Sequence, residues 1–90
     1  MGLTPSSRKA IPTSWETMSA APLRLFYVEA VNPTAGDITL SVQDADGLPA
    51  IVDTILAGKL LTYESKFGTP MNGLRWMASA PGLVGWYCGG

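Results

Sequence analysis

The stretch "NPTAGDITLSVQDADGLPA", Asn32 to Ala50, holds one short alternating run between two turn signals. Ile38, Leu40 and Val42 fall on one side of an extended chain, with Thr39, Ser41 and Gln43 on the other. That is the period-2 pattern of a half-buried strand. The segment "DADG" that follows admits two readings. Aligned to a calcium loop, Asp44, Asp46 and Gly47 take its third, fifth and sixth positions and Asp53 its twelfth, but Val42 stands where the first ligand belongs. Its flanks also alternate like strands, where an EF-hand needs helices. As a turn, the Asp carboxylates accept nearby backbone N–H groups and Gly47 supplies a positive φ, so that two antiparallel strands are joined. The hairpin fits better and calls for no metal; a calcium site of another type is the alternative.

Outward from this hairpin the pattern persists. From Leu23 onward, short runs rich in β-branched and aromatic residues are separated by Gly, Pro, Asn and Asp. They predict strands at Leu23 to Asn32, Ile38 to Asp44, Ala50 to Leu56, Leu60 to Phe67, Leu74 to Ser79 and Leu83 to Cys88, with "GTPMNGL" as a turn. The expected fold is all-β: residues 22–90 form a small antiparallel β-sandwich of about six strands. Gly85, inside the last run, signals a bulge or a close backbone approach.

Residues 1–21 read differently. Prolines, Ser and Thr surround isolated apolar residues, which predicts an extended N-terminal arm. "TSWE" fits a capping box, Thr13 as N-cap and Glu16 as N3, with room for one short helix before Pro22. Leu3, Ile11, Trp15 and Met18 are the arm's candidate anchors on a partner. On this reading the arm contributes little to the fold, and its deletion spares folding.

Composition points to assembly. Apolar residues make up 47% of the chain and charged ones 14%, against roughly 25% charged in an ordinary soluble domain. A domain this small buries only about 60% of its unfolded-chain surface, so apolar groups stay outside unless a neighbour covers them. The first and last runs are apolar on both sides, and Phe26, Val28, Trp86 and Tyr87 are the candidate interaction residues there. A homo-oligomer or a larger shell is expected.

Six basic and seven acidic residues, spread along the chain, form no basic face, which argues against a nucleic-acid partner. No apolar run of signal-peptide or membrane-span length occurs, so synthesis in the cytoplasm and no membrane partner are expected. With no histidine and Cys88 as the single cysteine, Ser-His-Asp and Cys-His catalysis and histidine-ligated zinc drop out. No enzyme activity, catalytic residue or cofactor is expected. The aromatic set Trp15, Tyr27, Tyr63, Trp76, Trp86 and Tyr87 could stack a sugar. However, Glu64 and Arg75, the polar neighbours in sequence, alternate onto the opposite face from the ring beside each. Core packing and subunit contacts account for the rings better; a glycan-binding module is the alternative.

The order of an extended arm, "LRLFYVEAVNPTAGDITLSVQDADG", "AGKLLTYE" and a closing "NGLRWMASAPGLVGWY" resembles the small β-sandwich structural proteins of tailed-bacteriophage virions, over about residues 22–89. The resemblance implies a virion structural protein. Its role would be capsid decoration (cement), stabilising contacts between subunits of the major capsid protein, or that of a small neck or tail component. It brings no catalytic residues with it.

Overall fold

In the computed structural model, which describes residues 4–90, the chain forms two antiparallel sheets packed as a sandwich, with no helix among the described residues. Across one sheet lie β1 (Thr4–Pro5) and β2 (Lys9–Ala10), then β9 (Val84–Gly89), β4 (Leu23–Val31) and β7 (Leu60–Met71). Across the other lie β3 (Glu16–Ser19), β8 (Leu74–Ala78), β5 (Ile38–Gln43) and β6 (Pro49–Ile55). Because β1 and β2 follow one another along the same edge of β9, each sheet has four strand positions. The total among the described residues is eight, not six, and the two added positions are supplied by the arm.

The alternating run behaves as its pattern requires. Ile38, Leu40 and Val42 are buried, and they meet Trp76 and Ala78 of β8, Ile51 and Ile55 of β6, and Leu25, Val28 and Ala30 of β4 in one core. Each such aliphatic side chain contributes about 1.5–3 kcal/mol by leaving water. Both flanking turns are built from side chain to backbone bonds. Asn32 is fully buried; its amide nitrogen donates to the carbonyls of Gly36 and Ile55, both at 2.8 Å, and its oxygen accepts from Thr34 N–H at 3.0 Å. "DADG" is the β5–β6 hairpin: Gly47 has φ of 85° and donates its N–H to the Asp44 carbonyl at 3.1 Å.

Three local expectations are corrected. Glu16 does not fold back on Thr13 to start a helix; its carboxylate accepts the indole N–H of fully buried Trp76 at 3.0 Å and the Lys9 ammonium at 2.8 Å. A buried indole donor needs a partner, and the segment supplies it by running as β3 along β8.

The arm belongs to the fold. Ile11 is 2% exposed and sits in the core, donating its N–H to the Leu83 carbonyl at 2.9 Å, while the Pro12 carbonyl accepts Ala78 N–H at 2.8 Å. The expectation that the arm contributes little to folding therefore fails.

"GTPMNGL" is only partly a turn, because β7 runs through Met71 and the chain reverses at Asn72 and Gly73. Within β7, Tyr27 opposes Glu64 while Leu25 opposes Thr69, so Ser65 to Gly68 bulge out against Phe26 alone. Gly68 makes this possible: its φ is +80°, and a Cβ there would lie 2.7 Å from both Arg24 Cβ and the Phe26 ring. Gly85 marks a close approach, as expected, since a Cβ would come within 2.7 Å of the Glu29 carbonyl oxygen.

Candidate interaction face

The register of β4 with its two neighbours determines what the outer face of its sheet presents. Tyr27, Glu29 and Val31 alternate with buried Val28 and Ala30, and they lie beside Cys88, Trp86 and Val84 on β9 and Glu64, Thr62 and Leu60 on β7. Cross-strand partners share a face. One row is therefore Leu60, Val31 and Val84, wholly apolar. The next places Glu29 between Thr62 and Trp86, and the third places Tyr27 between Glu64 and Cys88. The Tyr27 and Trp86 rings lie diagonally across these rows with centroids 4.9 Å apart and planes 31° to each other.

The Glu29 carboxylate, at the centre of this face, is neutralised from above. Glu29 Oε1 accepts from the Trp86 indole N–H and from the Arg8 guanidinium, each at 3.1 Å. Arg8 is 66% exposed, so the ion pair itself adds little stability. Its effect is to remove an uncompensated carboxylate from an aromatic surface.

Beside the rings a groove of about 590 Å³ is lined by Phe26, Tyr27, Glu64, Ser65, Lys66 and Cys88. Its wall is the β7 bulge, held by the Arg24 guanidinium donating to the carbonyls of Phe67 at 3.4 Å and Gly68 at 3.2 Å. At the bulge tip Phe67 is 79% exposed, and Leu60, at the other end of the face, is 59% exposed.

The outer face of the second sheet is more polar, although Ser41 stands between Met77 and the 68% exposed Val52. Thr39, Ser41 and Gln43 are the wet side of β5, with the Thr39 and Thr54 hydroxyls 2.9 Å apart. Arg75 lies over the Trp15 ring, 5.1 Å from its centroid.

The acidic turn is occupied by its own backbone. Asp44 Oδ1 accepts the N–H groups of Asp46 and Leu48 at 2.9 and 3.0 Å, and Oδ2 that of Asn72 at 3.4 Å. Burial opposes ionisation of Asp44, but the N–H donors of Leu48, Asn72 and Asp46, helped by the Arg75 charge, outweigh it and hold the carboxyl below its ordinary value. Glu16 is lowered in the same direction, chiefly by its bond to Lys9 and then by the Trp76 indole.

The candidate residues named from sequence separate into groups. Leu3 lies outside the described residues. Ile11 and Val28 are consumed by the protein's own core, and Met18 and Tyr87 pack against it, with the Tyr87 hydroxyl 3.4 Å from the Met18 carbonyl. Trp15 is 41% exposed on the polar sheet. Trp86 lies on the outer apolar face, and Phe26 borders the groove. Glu29, Val31, Leu60, Val84, Arg8 and Phe67 complete the face and were missed. Strand register brings the first four together, the arm brings Arg8 and the β7 bulge brings Phe67, and the sequence carried no signal for this beyond the apolar character of Leu60, Val31 and Val84.

Comparison of the chain with protein-family models, with curated proteins and with solved structures gives no match.

Proposed function

We propose that this protein is a structural subunit of a virion, docking the outer face of its β4 sheet on a neighbouring subunit. The specific form of the reading is a capsid decoration protein that binds the major capsid protein and stabilises contacts between capsid subunits. The observation that carries the assembly part is an apolar and aromatic surface where a sandwich normally presents polar side chains: Leu60, Val31 and Val84 in one row, the Tyr27 and Trp86 rings beside it, and Phe67 on the flanking bulge. Leu60 and Phe67 could each contribute about 1.5–3 kcal/mol on leaving water, before ordering costs. Repetition on a symmetric shell adds avidity without new contacts. The resemblance of residues 22–89 to phage sandwich proteins supports the virion setting; a neck or tail component would use the same chemistry in another place.

The test is the particle mass of the wild-type chain in solution and its binding to purified capsid shells, compared with the Trp86→Asp variant. Expected is an assembled or shell-bound wild type, and a variant that stays folded by circular dichroism but is unassembled. A wild type that remains monomeric at high concentration and binds no shell overturns the proposal.

One observation favours a second reading. Glu29 and Glu64 lie on the same face as Tyr27 and Trp86, which supplies the polar partners a glycan platform needs and which the sequence pattern lacked. Glycan-array binding that is abolished by Tyr27→Ala would establish it.

A further inference from the structure

The N-terminal arm fills a seam between the edges of β9 and β8. Ser6 donates its N–H to the Tyr87 carbonyl at 2.8 Å, Ile11 to that of Leu83 at 2.9 Å, and Ala78 N–H donates to the Pro12 carbonyl at 2.8 Å. Ile11 passes between the sheets as the arm crosses from one to the other. After Ser19 the chain must cross back. Ala20, Ala21 and Pro22 are all exposed, and they carry it from β3 in one sheet to β4 in the other.

This connection is short and bends at Ala20 and Ala21. Stacked sheets lie about 10 Å apart, and the steps from Ser19 to Leu23 reach roughly 13–14 Å when fully extended. The residue before a proline is also held away from the α region, so Ala21 and Pro22 favour extended chain over a reversal. The bend is pinned by the Ser19 hydroxyl, which donates to the Ala21 carbonyl at 3.0 Å. An extended connection would carry the arm away from its own body.

We infer that the seam between β8 and β9 accepts the arm, residues 4–19, of a second copy of this chain, so that copies are linked by exchanged arms. The inference deepens the assembly reading and rests on it. The seam's own chemistry identifies the occupant, because the same segment is already seated there. Ile11 packs against Gly85, where an added Cβ would lie 3.0 Å from the Ile11 Cδ1. Arg8 meets Glu29 at 3.1 Å, and Glu16 meets the Trp76 indole at 3.0 Å. Exchange keeps these contacts and releases the bend, the condition under which a short, constrained hinge promotes swapping. A short connection gives the chain's own arm an effective concentration in the millimolar range. Exchange therefore belongs to crowded chains, as on the lattice of a shell.

The single native cysteine provides the test. Pro5 and Cys88 are directly opposite in register, and the Ser6 to Tyr87 bond makes them a pair without mutual hydrogen bonds, the closer kind. In full-length Pro5→Cys a disulfide to Cys88 records which chain supplied the arm. The reduced variant is equilibrated at concentrations from micromolar to millimolar, oxidised, and run on a denaturing gel without reductant. Expected are intrachain-linked monomers at the low end and linked dimers or longer ladders that come to dominate at the high end. Two glycines inserted between Ala21 and Pro22 should return the product to monomer. Ala10→Cys with Val84→Cys, in a Cys88→Ser background, repeats the measurement at a second opposed pair. Intrachain products alone at every concentration, or no link at either pair, overturn the inference. If the wild type nevertheless assembles or binds shells, the assembly reading stands without arm exchange.

Discussion

Replacing Ile11 by Ala separates an arm that docks elsewhere from an arm that builds the fold. The side chain is 2% exposed and lies against Gly85, whose position is itself closed in by the Glu29 carbonyl and the Ala30 backbone. Backbone on that side cannot move in to fill a gap, so the cost should fall in the upper part of the about 2–5 kcal/mol range for such truncations. A domain of this length holds about 5–13 kcal/mol in total, at roughly 0.05–0.15 kcal/mol per residue. A loss of about 4 kcal/mol corresponds to a fall in Tm of roughly 16–32 °C. Thermal and urea unfolding followed by far-ultraviolet circular dichroism at fixed protein concentration measures it, with Ile11→Val as a graded control at about 0.5–1.5 kcal/mol and exposed Thr13→Ala as a near-neutral one. The urea midpoint should drop while the slope stays constant. An Ile11→Ala variant melting within about 2 °C of wild type, well under the shift of a single kcal/mol, would refute the assignment of the arm to the core. Deletion of residues 1–21 should, by the same reasoning, abolish cooperative unfolding.

The depressed pKa of Asp44 makes its contribution to stability complete above the ordinary aspartate value of about 3.9, with loss as pH falls through the lower folded-state value. Glu16 acts in the same direction. Asp44→Asn should lower the Tm at neutral pH and flatten its fall under acid; an unchanged acid limb would count against the backbone-capping role. EDTA should leave the wild-type Tm unmoved, because the Asp44 oxygens already accept backbone N–H groups. A drop restored by added calcium would reverse that reading. Gly68→Ala should cost about 1–3 kcal/mol through its positive φ, and the crowding by Arg24 and Phe26 adds to this. A neutral result in urea titration would show that the bulge is not held as described.

The hairpin from Ile38 to Ile55 was legible because everything that builds it is local: alternation selects the buried face, and Asp44 and Gly47 close the turn with their own side chain and backbone. The helix expected after Thr13 failed for a nonlocal reason. Glu16 fits the capping position in sequence, but the donor that claims it is the indole of Trp76, 60 residues away. Ile11 failed similarly, since an isolated apolar residue among prolines has no periodicity to assign it to a core. The interaction face was half legible. Two-sided apolar character in the first and last runs located the strands, but which residues share a face depends on the β4 register and on the bulge between Leu25 and Tyr27. That bulge turns Leu25 to the buried side with Val28 and Ala30, although plain alternation would place it with Tyr27, Glu29 and Val31.

A sandwich of low charge must control how it associates, and here the edge strands are short or obstructed while a face is left open. The arm covers β9 with β1 and β2, and β8 with β3. On the opposite side, β6 carries Asp53 opposite buried Leu40, on the side that would face inward, yet exposed and accepting the Thr54 N–H at 2.9 Å. A charge at that position, together with the register shift at Ala50, is a device that prevents another strand from adding to an edge. On β7 the Ser65 to Gly68 bulge and Pro70 do the same. Edge pairing is open-ended, since each added strand exposes a new edge, whereas a face can be covered once. Blocked edges beside the apolar row of Leu60, Val31 and Val84 therefore suit a subunit that binds a bounded set of neighbours and does not grow into fibres. Arm exchange fits the same constraint where it closes in a pair or a ring, because every seam is then filled by one arm and none is left open.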